Sequence, residues 1–239
     1  MADVVSGESL FDRLLGGQCD FKGIVLERAF DLSGHPRFAE LQERLRRSAD
    51  SGALDFSGAR LTDLKARGWQ VPGSIWVGAQ LDGCDFSEAQ FDLADLSRAS
   101  LCRANLGRCA LTGATCVEIN LESSNLEEAK LDGVNFWKGR LRNAIFHKAQ
   151  LRDALLCEAD LSGADFSACD LTKGNLWGAS LEGASFARAL LRETQIKGVR
   201  ELDKALGLSR ARYRKCRMGR AERDHIVRAM DRLAFHVEE

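Results

Sequence analysis

Residues 76–105 read WVGAQ LDGCD FSEAQ FDLAD LSRAS LCRAN, and written in fives they align: each block opens on a residue such as Trp76, Leu81, Phe86, Phe91, Leu96 or Leu101 and carries a small one at its fourth place, Ala79, Cys84, Ala89, Ala94, Ala99 or Ala104. The same register runs on to Ile196, with Cys116 standing in once for the large residue and Cys109, Gly139, Cys169 and Gly174 for the small one. A period of five matches neither the helix period of 3.6 nor the strand period of 2, so no regular helix or half-buried strand keeps these residues on one side. The chain must turn at every repeat. If each block is one side of a coil, both the large and the small residue point inward, and the narrow interior explains why the second must be small.

Four sides per coil would stack residues twenty apart. The column 81, 101, 121, 141, 161, 181 is all Leu, and the column 86, 106, 126, 146, 166, 186 gathers Phe86, Phe146, Phe166 and Phe186. A three-sided coil would scatter both. At about 4.8 Å per coil, roughly six coils from 76 to 196 make a rod on the order of 29 Å long. Burying each Leu or Phe contributes about 1.5 to 3 kcal/mol, enough to hold such a rod rigid.

The blocks Ala94-Asp95-Leu96, Ala104-Asn105-Leu106, Ala164-Asp165-Phe166 and Cys84-Asp85-Phe86 follow the pattern A-(D/N)-L-x-x, and in this the chain resembles the pentapeptide-repeat family. The resemblance implies an all-β solenoid, a right-handed quadrilateral parallel β-helix. Around it the sequence predicts a division into residues 1–75, an N-terminal cap with partial repeats and an inserted helix over about 36–49; residues 76–196, the continuous β-helix; and residues 197–239, a basic helical tail. The partial repeats are Cys19-Asp20-Phe21, Leu26 and the stretch from Asp55 to Leu61, so the solenoid can begin near Cys19 with the helix inserted between coils, whereas Lys65 to Ser74, with Gly68, Pro72 and Gly73, read as a second excursion or loop. In the tail, Ile226, Val227, Met230, Leu233 and Val237 fall along one face of an amphipathic helix, suited to capping the last coil or to joining two copies as a homodimer.

The chain has 239 residues, 45% of them hydrophobic, and its 34 Lys and Arg nearly balance 35 Asp and Glu. No stretch is long and apolar enough to span a membrane, and Asp3 and Glu8 stand where a secretory signal would be basic, so a cytoplasmic protein is expected. No phosphate-binding loop, dinucleotide fingerprint or H-E-x-x-H is present, and His35, His147, His225 and His236 are scattered. The reading is therefore not an enzyme, with no cofactor, no metal site and no catalytic residue. Cys102, Cys109 and Cys116 fall on different places of the repeat, outward, small inward and large inward, so they are expected to act independently.

Three surface features remain. The outward place after the large residue on one side holds Val117, Trp137, Cys157 and Trp177, with Leu155 beside them, an apolar stripe that either binds a protein or is covered by a terminal helix. The run Ser209–Arg220 carries Arg210, Arg212, Arg214, Lys215, Arg217 and Arg220 with no acid, suited to phosphates, to an acidic surface or simply to solvent. One aromatic residue in it is little for nucleic-acid recognition, so direct nucleic-acid binding is not expected. Finally, resemblance to the family members that mimic DNA implies a type II topoisomerase (gyrase) as a partner and protection from quinolones, with Asp82, Asp85, Asp92, Asp95, Asp132, Asp160, Asp165 and Asp170 as the mimicking charges. Lys138, Arg140, Arg142 and Arg152 interrupt that acidic series. A non-enzymatic scaffold for protein partners is the first reading and DNA mimicry the alternative.

Overall fold

The structure, a computed structural model, describes residues 2–47 and 53–234. Its organising feature is a set of parallel bridges between residues twenty apart: Gln80 with Ser100, Asp85 with Asn105, Gln90 with Ala110, Asp95 with Thr115, and onward in the same steps. Each turn of the coil thus has four bridged sides, as the sequence columns require. The large and small residues of every block face inward and are buried almost without exception. Phe146, Phe166 and Phe186 stack face to face, with centroids 4.7 and 5.4 Å apart.

Between sides the chain turns through two residues, the second of which takes a positive φ, glycine at Gly83 and Gly113 but ordinary residues at Arg103, Glu128 or Lys148. Each turn closes with a hydrogen bond such as Cys84 N to Leu81 O, 3.2 Å. Many of them are fixed by an Asp or Asn at the bridging place, whose side chain accepts from the backbone two residues on, as Asp95 does from Ser97 N and Asn125 from Glu127 N. This gives a physical reason for the polar residue of the motif: it shapes the corner.

The coil is longer than residues 76–196. One column of bridges runs through Asp20, Asp55, Ile75, Asp95, Thr115, Asn135, Leu155, Asn175, Gln195 and Arg217. Ten rungs at about 4.8 Å give roughly 43 Å between the first and the last. Residues 65–74, expected to form a loop, belong to this coil: Lys65 bridges Asp85, Gln70 bridges Gln90, and Ala66, Trp69 and Val71 are buried. At the other end the repeat motif stops but the coil does not. Arg200 bridges Ser180, and strand β3 (Leu190–Arg192) pairs in parallel with β4 (Arg212–Arg214), Arg192 opposite Arg214. The segment after 196, expected to be a helical tail, is therefore a last turn of coil as far as Arg217, and the helix begins only at Arg220.

At the N-terminus β1 (Val4–Val5) pairs with β2 (Val25–Leu26), adding a rung that the sequence reading did not anticipate. Helix α1 (Gly7–Gly16) follows β1. Ser6 caps its start by accepting from Ser9 N, Gly17 at φ 88 ends it, and Leu10, Phe11 and Leu14 are buried against the first coil. Helix α2 (Phe38–Arg47) is the expected insertion, entering where bridged partners stand 35 residues apart, Asp20 with Asp55. Gln42 ties it to the coil, donating to Gly68 O at 2.6 Å and accepting from Gln70 N at 3.2 Å. Helix α3 (Arg220–Ala234) packs over the short 3-10 turns Leu202–Lys204 and Leu208–Arg210 at the other end. Among the described residues no helix is long and apolar enough to cross a membrane.

Candidate protein-docking face

On the side of the coil that holds the bridging residues Asn135, Leu155, Asn175 and Gln195, the first turn residue points outward. There the structure brings Val117, Trp137, Cys157 and Trp177 into one column, each a rung from the next. Asn135 and Asn175 set the two tryptophan corners, their Oδ1 atoms accepting from Trp137 N and Trp177 N at 3.0 Å. Trp137 is 38% exposed, Trp177 47% and Leu155 42%, while Val117 and Cys157 are half-buried between their neighbours. No terminal helix shields the stripe among the described residues.

Both indoles lean toward the following rung. Trp137 Nε1 lies 3.4 Å from Glu158 Oε1, and Lys138 Nζ sits 4.3 Å from the Trp137 ring centroid, so the ring is braced by a cation over its face and an acceptor at its edge. Trp177 lies against Gly198, where an added Cβ would stand 3.5 Å from the indole nitrogen, an ordinary contact; it is the positive φ of 73° that favours glycine there. Cys157 is free. Burial pushes its thiol above the ordinary range, which leaves it protonated at neutral pH and a poor nucleophile. The inward thiols go the same way for the same reason, Cys84 up to about 12. Among the described residues no cluster of His, Cys, Asp and Glu could hold a metal ion.

The aspartates read from the sequence as mimicking charges also hold the coil together. Asp82 accepts from Cys102 N, Asp92 from Thr112 N and Asp132 from Arg152 N, each across one turn of coil; Asp85, Asp95, Asp160, Asp165 and Asp170 accept from the backbone two residues on. All eight expected mimicking charges are thus bound into the framework. At the corners the charges alternate along the rod. Arg98 pairs with Glu118 and Lys138 with Glu158 on one corner; Arg67 pairs with Glu88, and Arg108 and Lys148 both with Glu128, on the opposite one. This alternation was legible at period twenty in the sequence, but only to a reader who already knew which residue of each block stands at the corner.

The basic run is spread over the end of the rod. Arg210 ends the second 3-10 turn, Arg212 and Arg214 lie on β4, Lys215 takes a turn at φ 54, Arg217 bridges Gln195, and Arg220 opens α3 with Asp224 at 3.9 Å. A cleft of about 520 Å³ opens among Lys173, Glu193, Lys215 and Arg217. In α3, Ile226 is buried against the coil whereas Val227 is 48% exposed. The side chains of Met230 and Leu233, and Val237 altogether, lie outside the described residues.

The model of pentapeptide repeats matches in eight copies, over residues 73–101, 79–115, 99–137 and 140–172. Among solved structures, two trypsin-treated forms of QnrB1, described as a plasmid-mediated fluoroquinolone resistance protein, are similar at TM-scores of 0.57 and 0.56. They are 15% and 16% identical, cover 75% of this chain, and are themselves covered to 89% and 90%. HetL of the cyanobacterium Nostoc sp., described as involved in heterocyst differentiation regulation, is 21% identical at a TM-score of 0.40, over 89% of this chain and 94% of its own. No curated protein matches. The likeness to QnrB1 shows the fold, a right-handed β-helix.

Proposed function

Because this chain is a pentapeptide-repeat protein, we propose that it is a non-enzymatic scaffold that binds a partner protein along the Trp137–Trp177 stripe. One observation carries the reading: two indoles and a leucine stand 38%, 47% and 42% exposed together on one face of the rod, whereas the other exposed large apolar residues of the coil, Leu93, Ile145 and Leu206, lie outside that stripe. Apolar surface gathered in this way marks an interaction site, because burying it removes it from water. The rigid coil favours binding further, since the rings are already held in place and little ordering remains to be done on association.

Changing both Trp137 and Trp177 to Ser tests this. Neither ring is buried in the core, so the melting temperature should hold within about 2 °C, the range of ordinary surface substitutions, while capture of the partner from the native cell extract is lost. A large drop in melting temperature would instead make the stripe part of the framework.

A second reading is a gyrase-directed DNA mimic, supported by the shared fold with a fluoroquinolone resistance protein. The corner pairs count against it, because Arg98, Arg108, Lys138 and Lys148 interrupt the negative charge along the rod that a DNA-binding surface would recognise. Gyrase supercoiling, with and without a fluoroquinolone, should accordingly be unchanged by stoichiometric protein; inhibition or drug protection would reverse the order of the two readings.

A further inference from the structure

The docking stripe does not end in the same chemistry in which it begins. Followed toward the C-terminus, the column Trp137, Cys157, Trp177 continues to Lys197, and the adjoining bridged column Leu155, Asn175, Gln195 ends in Arg217. On the corner beside it Lys173, Glu193 and Lys215 follow one another, and with Arg217 they line the cleft of about 520 Å³. Lys173, Lys215 and Arg217 are exposed, and among the described residues none has a carboxylate within ion-pair distance. Three cations therefore face a single acid, Glu193, at the end of an apolar stripe. Nearby Glu222 is engaged, its Oε1 accepting from Gly198 N at 2.9 Å.

We propose that the partner's docking segment is an extended polypeptide with apolar residues at one end and a run of carboxylates at the other, the apolar part on the tryptophans and the acidic part in the Lys173, Lys215 and Arg217 cleft. The inference rests on the docking reading above and adds the partner's chemistry to it. From the Trp137 rung to the Arg217 rung is four steps, about 19 Å at roughly 4.8 Å each, the length of about six extended residues. A segment of that length spans both chemistries at once. The cleft sits at the rod's end, where unpaired cations steer an acidic segment in and fix its direction, while the stripe supplies the area removed from water. A nucleic acid fits the site less well: the cleft lined by Lys173, Glu193, Lys215 and Arg217 offers no ring on which a base could stack.

Three labelled peptides test this, identical in an apolar half rich in Leu and Phe and differing only in the other half, which is all Glu, all Gln or all Lys. Their affinities for the full chain should fall in the order Glu, Gln, Lys, with about tenfold between the first two at low salt, a preference that shrinks as salt rises. In the Lys215→Gln, Arg217→Gln chain the Glu and Gln peptides should bind alike; in the Trp137→Ser, Trp177→Ser chain all three should weaken together. Far-UV circular dichroism checks that each variant is folded, and Lys173→Gln, which lies outside the last rung, provides a second reading of the cleft. Equal binding of the Glu and Gln peptides to the unaltered chain overturns the inference and leaves the docking stripe standing. Binding of none of them removes the stripe as a docking face and the inference with it. A short DNA duplex that binds, and is released by the Lys215 and Arg217 changes while the Glu peptide is not, assigns the cleft to phosphates and overturns the acidic-peptide assignment.

Discussion

Asp160 and Asp170 show how single side chains hold this coil. Asp160 accepts from Ser162 through both amide and hydroxyl, 3.1 and 2.6 Å, and faces Arg142 at 3.3 Å; Asp170 accepts from Thr172 N at 3.0 Å and from Arg152 Nε at 2.7 Å. Burial works to raise both carboxyls, but the hydroxyl, amide and guanidinium partners outweigh it and hold both below the ordinary carboxylate range. The sign of the pH effect follows. A carboxyl that is a stronger acid in the folded chain than in the unfolded one stabilises the fold at every pH above its unfolded value of about 4, and that stabilisation is lost as pH falls through the folded value. Melting temperature should therefore be flat from about pH 7 to 5 and fall below about pH 4, and Asp160→Asn with Asp170→Asn should lower it at pH 7 while shrinking its fall in acid. An equally steep acid fall in the double variant would assign the acid sensitivity to other groups.

At the scale of elements, the two ends of the rod are finished differently. Helix α3 buries Ile226 against the end of the coil and leaves Val227 exposed, and a helix that caps a solenoid must shut off its apolar end in this way while its other face meets water. Ile226→Asp should accordingly cost about 3 kcal/mol or more, as an unpaired charge at a buried position does, whereas Val227→Asp should leave both melting temperature and molar mass unchanged. A mass that halves in Val227→Asp would identify α3 as a dimer seam.

The repeat from 76 to 196 was legible because its inward places obey one size rule; where the rule bends, the coil persists and the signal does not. Leu64 and Trp69 fill small places while Ala66 and Val71 fill the large places next to them, so the interior stays packed although the motif reads as a loop. Past Arg200 the bridged partners stand 21 or 22 residues apart, Ser185 with Leu206 and Gln195 with Arg217, and the added residues erase the period of five. Helix α1 had its signals in Ser6, Glu8, Leu10, Phe11, Leu14 and Gly17, but ten residues are too few for periodicity alone to decide. The tryptophan stripe could be read from the register. Its cationic end could not, because it depends on the coil continuing to Arg217.

For the whole molecule, the unit of construction is twenty residues, and that makes a demand no single substitution can test. Each turn of coil touches only its neighbours, so stability should be close to a sum over turns and the interfaces between them. Removing residues 101–120 takes out one full turn and sets Leu121 over Leu81, leucine on leucine, with every bridge column unbroken. The shortened chain should fold with the same β signal per residue and unfold in one transition. Its denaturant slope should be lower by about a tenth, because the slope follows the surface exposed on unfolding. It should also keep partner binding, since of the outward column only the half-buried Val117 is lost and everything from Trp137 to Arg217 lies beyond the cut. Removing 101–118 instead shifts the register by two residues, so that the small residues of later blocks meet the large places before the cut, the large ones meet turn places, and polar residues such as Glu122 and Glu127 meet the small inward places. A buried row of polar residues at that junction has no partners and splits the core in two. If the eighteen-residue deletion folds and unfolds as cooperatively as the twenty-residue one, the stacked columns do not hold the rod together, and the inward size rule would need another explanation.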